Sequence, residues 1–521
     1  MDKMRQKGNF FERLPYFFRL LFCIYIVLAI LCAYVFDSPD SYRAFAPLSC
    51  SNAVVILPAL LLLACALFFT LRESRSRRAP MSDRRFYLVI SAVFLAVFAA
   101  QLFIVDHIWI NTGWDVRTIM DAAYELVTQP ELGAQSLYYL SVYPNNLIVV
   151  YLSALMFKAG MVIFPRNPYL FNFICSAFSV CVSVYLAVLC VYKLSGSRRL
   201  TVAGIVIGVP LIALSPWIVI PYTDTFGMIF PAATLFCLVF CRKKYLKFGV
   251  AAALCALGYQ IKPTNIIPLI ALVLVGGCYL LGDAVRHRPW LRRAGAAVLA
   301  LLIGAGITFG AAALIKSDDA TVLDADEQTP LSHFLNMGFN RSSHGMFSYE
   351  DVLFSATFSD VASRSQANFE SFRARVSDMG IVGLARHFAQ KTVSNYNDGT
   401  FSWGREGGFY DYVPPERGAL DGALRGFYYN HGENYGSFAF IEQCLWLLVL
   451  LCLCFNALPG GGRGADYVSM CLMGQSLFLL LFECRARYLY MFSPLFVVMA
   501  CLGLKNAAGL INRLKMKKAS R

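Results

Sequence analysis

DHIWINTGWDVRTIMDAAYELVTQPELGAQSLYYLSVYPNN, residues 106–146, lies between two long apolar runs. It carries Asp106, Asp115, Asp121, Glu125 and Glu131 against one basic residue, Arg117. A polar, acidic and aromatic segment between apolar runs suits an active-site loop, because loops present functional groups that a rigid scaffold positions. The rest of the chain reads as that scaffold.

The scaffold reads as membrane-embedded. Of 521 residues, 58% are hydrophobic and 15% charged, and the mean hydropathy is +0.56. Soluble chains carry about 25% charged residues. Apolar runs near the length needed to cross a hydrocarbon core of ~30 Å recur along the chain. The fold class expected is therefore an all-α polytopic membrane protein. The basic N-terminal segment precedes a run long enough to span, which argues against a cleavable signal peptide. The net charge of +14 is spread in short clusters between runs, the positive-inside pattern, so no nucleic-acid partner is implied. The 17 cysteines sit mostly in apolar runs, and the loop 316–437 has none, so no disulfide framework is expected there.

The strongest orientation signal is 72–85, RESRSRRAPMSDRR, with six arginines. Placed in the cytoplasm, it puts the N-terminus inside and the loop bearing Asp115 outside. The run 147–163 is short and contains Lys158. If it crossed, every later basic cluster (Lys193/Arg198/Arg199, Arg242/Lys243/Lys244/Lys247, Arg286/Arg288/Arg292/Arg293 and the tail with Lys515, Lys517, Lys518 and Arg521) would face outward. An interfacial helix there keeps them all inside. The spans expected are 15–36, 51–71, 86–105, 170–192, 200–217, 225–241, 247–261, 264–282, 294–315, 438–457, 467–483 and 489–504, which makes 12, with both termini cytoplasmic. Four regions follow: residues 1–85 with two spans and the basic loop, 86–315 as a spanning module, 316–437 as a large extracytoplasmic loop folded as a small helical cap, and 438–521 with the last spans and the basic tail.

Polar residues then gather at the outward junctions. Asp115, in GWD, suits a general base beside apolar surface, and equally an N-cap of the following helix. Lys262, in GYQIKPTN, suits a phosphate as a point charge or snorkelling to the interface. Arg485 and Arg487, in ECRARY, oppose the positive-inside trend and suit phosphate oxygens, with Glu483 as an internal ion-pair partner. Asp224 and Tyr222, in PYTDTFG, suit substrate support or a metal, or a helix cap. Tyr143 and Asn145, in YPNN, suit orientation of the 147–163 helix. In the large loop Trp403 suits a sugar platform or a packed core, and Arg405 a phosphate; His344 lies in HGMFSYED. HExxH, CxxC, P-loop and dinucleotide patterns are absent.

An acidic first-loop residue, a YPNN step before a short interfacial helix, a later Asp turn, a Lys-Pro turn and a late RARY resemble, in order and sidedness, the GT-C superfamily of polyprenyl-phosphate-sugar-dependent membrane glycosyltransferases. The arrangement is similar to that of protein O-mannosyltransferases and lipid A aminoarabinose transferases. The resemblance covers about 90–315 plus the late RARY, and its motifs are short. It implies Asp115 as the catalytic carboxylate and Lys262, Arg485 and Arg487 as donor-phosphate ligands. Asp224, Tyr222, Tyr143, Asn145, Trp403 and Arg405 would bind or support substrate. Tyr143–Asn146 replaces the family's His- or Glu-bearing step, which leaves a divalent metal undecided. The partners implied are a polyprenyl-phosphate-linked sugar, a glycan, lipid or protein acceptor of the cell envelope, and the lipid bilayer of a bacterial plasma membrane. Transfer would be inverting. An envelope-lipid flippase and a lipid-diphosphate glycan polymerase or ligase are the alternatives.

Overall fold

The computed structural model describes residues 9–35, 51–71, 81–243, 245–286, 290–316 and 321–519. Residues 72–80, Lys244, Arg288 and Arg521, which the charge argument used, lie outside the described residues. Among the described residues eleven helices are long and apolar enough to cross a membrane. Backbone amides inside a bilayer must pair internally, so long apolar segments resolve as helices.

Contacts at the two ends of the bundle give the direction of each pass. At one end Asp83 accepts from Tyr192 Oη at 2.6 Å and pairs with Arg198 at 3.2 Å. There Lys505 Nζ reaches Leu194 O, Asn9 donates to Gly282 O at 2.9 Å, Arg286 pairs with Glu12 at 2.7 Å, and Tyr16 Oη donates to Ala457 O. The described members of the basic clusters share this end. At the other end Trp109 stacks on Phe173, Tyr222 meets Asp115, Lys262 meets Asp224, and Asn52 donates to Ala33 O.

The helix Leu147–Ile163 does not run between these two ends. Asn146, before it, donates to Tyr139 Oη, and Tyr151 Oη meets Thr321 Oγ1. Farther along, Phe157 touches Tyr124 and Tyr169, and Gly160 approaches Pro168 O. All of these partners lie at the Trp109–Phe173 end. Its length alone would allow a crossing, since Pro144–Ile163 is one of the eleven. Two further passes come from shorter elements: Arg198–Gly208 continued by the π-helix Val209–Ala213, and Leu246–Ile261. Eleven, less one, plus two gives the twelve passes expected, with the described ends of the chain both at the basic end.

The large loop departs from the expected cap. Residues 321–386 do build a helical cap, with helices Leu331–Gly338 and Tyr349–Ala356 and the first part of Val361–Tyr396. Every residue from Lys391 to Gly404, however, is buried. This segment descends among the passes: Thr392 Oγ1 meets Tyr25 Oη, Trp446 Nε1 donates to Tyr396 O at 2.8 Å, and Trp217 Nε1 donates to Thr400 O at 3.1 Å. Its non-helical turn is satisfied by protein: Asp398 accepts from the amides of Thr400 and Ser402, and Gln443 from that of Gly399. Irregular backbone at membrane depth is tolerated where protein encloses it in this way. The chain then returns, and Tyr410–Tyr412 pairs antiparallel with Asn111–Thr112 of the first loop. The return thus sets this strand against the first loop, where Arg117 pairs with Asp411.

Candidate functional site

The first-loop helix runs Asp115–Thr128 and its N-cap is Trp114, so Asp115 is the first helical residue and not the cap. A carboxylate in the first turn is favoured by the helix dipole. Its side chain is half-buried and accepts from Tyr222 Oη at 3.2 Å. Burial, reinforced by the Asp115 charge, pushes the phenols of Tyr222 and Tyr139 well up, so both remain proton donors. The same two causes, with Glu483 adding, hold Tyr143 up at about 12. Asp106 is spent elsewhere, in an exposed pair with Arg417 at 2.9 Å.

Behind Asp115 lies a chain of alternating charges. Lys262 follows the helix Leu246–Ile261, which Pro263 prevents from continuing. Its ammonium pairs with Asp224, which is buried in the first turn of Thr223–Gly227. Arg487 Nε stands 3.6 Å from Asp224 Oδ2 and 2.9 Å from Glu406 Oε2. Arg485 pairs with Glu406 at 3.2 Å and with Glu483 at 2.8 Å. These elements approach closely at Gly227, where a Cβ would lie 2.7 Å from Met491 Sδ.

Aromatic rings wall the cluster. The Arg487 guanidinium lies 4.1 Å from the Trp114 ring centroid and 5.4 Å from Tyr222, and Lys262 Nζ lies 4.3 Å from Tyr488. Cation–π attraction strengthens where water is excluded. Burial pulls the Lys262 ammonium down, and Asp224 only partly restores it. Burial pushes Glu406 up, but Arg485 and Arg487 outweigh it and leave the carboxyl below its usual range.

The pairing is incomplete. Arg487 Nε and Nη1, Asp224 Oδ2 and Glu406 Oε2 are buried and have no hydrogen-bond partner, although ionic neighbours are close. Buried polar groups are nearly always bonded, so four such atoms in one cluster call for an explanation. A group with phosphate-like acceptor oxygens would use the free guanidinium donors, whose planar fork suits it. Among the described residues no three of His, Cys, Asp and Glu converge as metal ligands. The described residues therefore offer no set that fits a protein-held divalent ion.

Asp115, Tyr222, Asp224, Lys262, Arg485 and Arg487, all singled out from sequence, therefore stand together. Tyr143 borders the group, its ring 5.3 Å from that of Tyr139, while Asn145 is exposed and bonds its neighbour Asn146. Trp403 is not a sugar platform: its ring is fully buried against Trp217, and Nε1 donates to Tyr428 O. Arg405 donates to Met346 Sδ, and His344 lies on the cap turn, where its carbonyl accepts from Cys484 Sγ. Sequence reasoning missed Glu406, Trp114, Tyr139 and Tyr488 as members of the site. For Glu406 the sole signal was its place in the glycine-flanked WGREGG.

Among the described residues, twelve passes with a charged, aromatic-walled cluster at the end opposite the basic loops define an integral membrane protein with a built polar site. The chain belongs to a family described as conserved hypothetical integral membrane protein, whose profile matches residues 10–508. No curated protein and no solved structure matches it.

Proposed function

We propose that the protein is a glycosyltransferase that moves a sugar from a polyprenyl-phosphate donor to a cell-envelope acceptor. The reading takes the membrane as a bacterial plasma membrane, and the positive-inside rule assigns the basic end to its cytoplasmic side. That puts Asp115 and the charged cluster on the extracytoplasmic side. The observation that carries the reading is the buried Arg487, with unused donors, walled by Trp114 and Tyr222 beside the Asp115 carboxylate.

In this mechanism Asp115 accepts the proton of the acceptor hydroxyl as its oxygen bonds to the anomeric carbon. Tyr222 holds the carboxylate in place. The bond from that carbon to the phosphate oxygen breaks, and its electron pair leaves with the phosphate. Arg487, Lys262 and Arg485 stabilise the developing charge, an interaction that strengthens as the bond breaks. A single displacement inverts the anomeric centre.

The re-entrant polar segment also suits a transporter of envelope lipids, where non-helical backbone marks a substrate path. Here the segment's own rings close it against its neighbours, Phe401 on Tyr490 and Trp403 on Trp217, which favours the transferase. The test uses purified protein, one polyprenyl-phosphate sugar at a time and an envelope-lipid extract. Asp115→Asn abolishes transfer with donor binding retained, and Asp106→Asn keeps most activity. Turnover by Asp115→Asn with a dead Asp106→Asn would move the base to Asp106. Lipid translocation without any sugar transfer in the wild type would replace the transferase by the transporter.

A further inference from the structure

The backbone just before Arg485 is held from three directions. Glu483 N donates to Phe334 O at 3.0 Å, and Cys484 N to Gly345 O at 2.8 Å. Both acceptors belong to the cap. From the re-entrant helix, Lys391 donates Nζ to Gly338 O and to Phe482 O, each at 2.7 Å. His387, one turn earlier, contacts the same Gly338 carbonyl at 2.9 Å. Lys391 is fully buried.

Phe482 is the C-cap of the helix Gly462–Leu481. Its carbonyl is one of the groups a helix end leaves unpaired, and a cation there complements the dipole. Lys391 therefore crosslinks three pieces of chain: the helix it sits on, the cap at Gly338 and the end of the eleventh pass. The space around it is closed. A Cβ at Gly345, where φ is +75°, would lie 2.9 Å from Lys391 Cδ and Cε. A Cβ at Gly338 would lie 2.6 Å from Leu481 O.

We propose that Lys391 is a positioning residue, which fixes the end of Gly462–Leu481 against the cap and so sets where Arg485 and Arg487 stand in the site. It touches no reacting atom. The inference rests on the donor-phosphate role given above to the two arginines. Only two residues separate Phe482 from Arg485, so a slip at the carbonyl is carried directly into the guanidinium positions.

The experiment uses the full chain in nanodiscs, with Lys391→Met and Gly345→Ala, the latter pushing on the same contact from the cap. Three quantities are read: thermal unfolding, alkylation of Cys484 by N-ethylmaleimide followed by peptide mass spectrometry, and affinity for a polyprenyl monophosphate. Cys484 is fully buried in the clamp. Lys391→Met should alkylate at Cys484 about tenfold faster and bind the lipid phosphate about tenfold more weakly, one decade being about 1.4 kcal/mol. The loss of affinity should persist at temperatures where the variant is fully folded. If Lys391→Met does not fold, Gly345→Ala should move both quantities in the same direction. Unchanged alkylation and unchanged affinity in the folded variant would overturn the proposal, as would faster alkylation with affinity intact. If the wild type binds no polyprenyl phosphate, the functional reading fails, and Cys484 alkylation alone then decides whether Lys391 holds the turn.

Discussion

Two lysines, one fully buried and one largely so, lie at the same end of this molecule and are used in opposite ways. Lys391 is held by two backbone carbonyls, Gly338 O and Phe482 O. Lys262 faces the Asp224 carboxylate, which also has Arg487 within 3.6 Å. A carbonyl belongs to the fold and cannot be exchanged without moving the backbone. A carboxylate shared between two cations can give one of them up to an incoming anion, because the other still neutralises it. Burial pulls both ammonium groups down, Lys391 to about 8, so burial alone does not separate a structural lysine from a functional one. The kind of partner does.

The sharpest way to break this contrast is to remove the shared cation. Arg487→Ala leaves Asp224 beside Lys262 alone and leaves Glu406 with Arg485 alone, two buried carboxylates each short of a partner. Uncompensating a buried pair costs about 3–5 kcal/mol. Thermal unfolding in detergent should show a loss of that order. A variant as stable as the wild type would mean that the cluster relaxes freely and is not preorganised.

A smaller effect sharpens the Lys391 side. Its folded-state pKa lies below the ordinary value of 10.5, so between about pH 8 and 10.5 the unfolded chain binds more protons there than the folded one. Stability from this group therefore rises with pH through that window, by at most about 1.4 kcal/mol per pH unit. Below about pH 8 both states are protonated and the dependence vanishes. The difference in melting temperature between wild type and Lys391→Met should follow this course from pH 7 to 9.5. A difference that is flat with pH would show that the ammonium is not held at a lowered pKa.

Much of this was legible in the sequence because the bilayer makes it so. Apolar length specified the passes, and the basic clusters fixed their alternation well enough to read 147–163 as lying along the interface, a reading now carried by the partners at both its ends. Lys262, Arg485 and Arg487 stood out as cations at the wrong end for the charge rule. Asp115 and Asp224 stood out as acids at the mouths of apolar helices. Glu406 did not. The stretch KTVSNYNDGTFSW before it is too polar to read as a span, and its burial is decided by distant partners, among them Asn52, Gln443 and Trp446. Trp403 failed for the complementary reason: an isolated tryptophan in a loop has the same sequence signal whether its ring stacks on a ligand or on Trp217.

The central claim is that the cations around Asp224 exchange their carboxylates for a lipid phosphate. A phosphorus NMR titration of a polyprenyl monophosphate into wild type and Lys262→Ala in nanodiscs tests it most directly. Losing one charge-assisted hydrogen bond weakens binding by about 1.5–3 kcal/mol. The account predicts saturable binding to the wild type and a loss of that size in Lys262→Ala. Equal affinity in the two proteins, or no saturable binding to either, would contradict it.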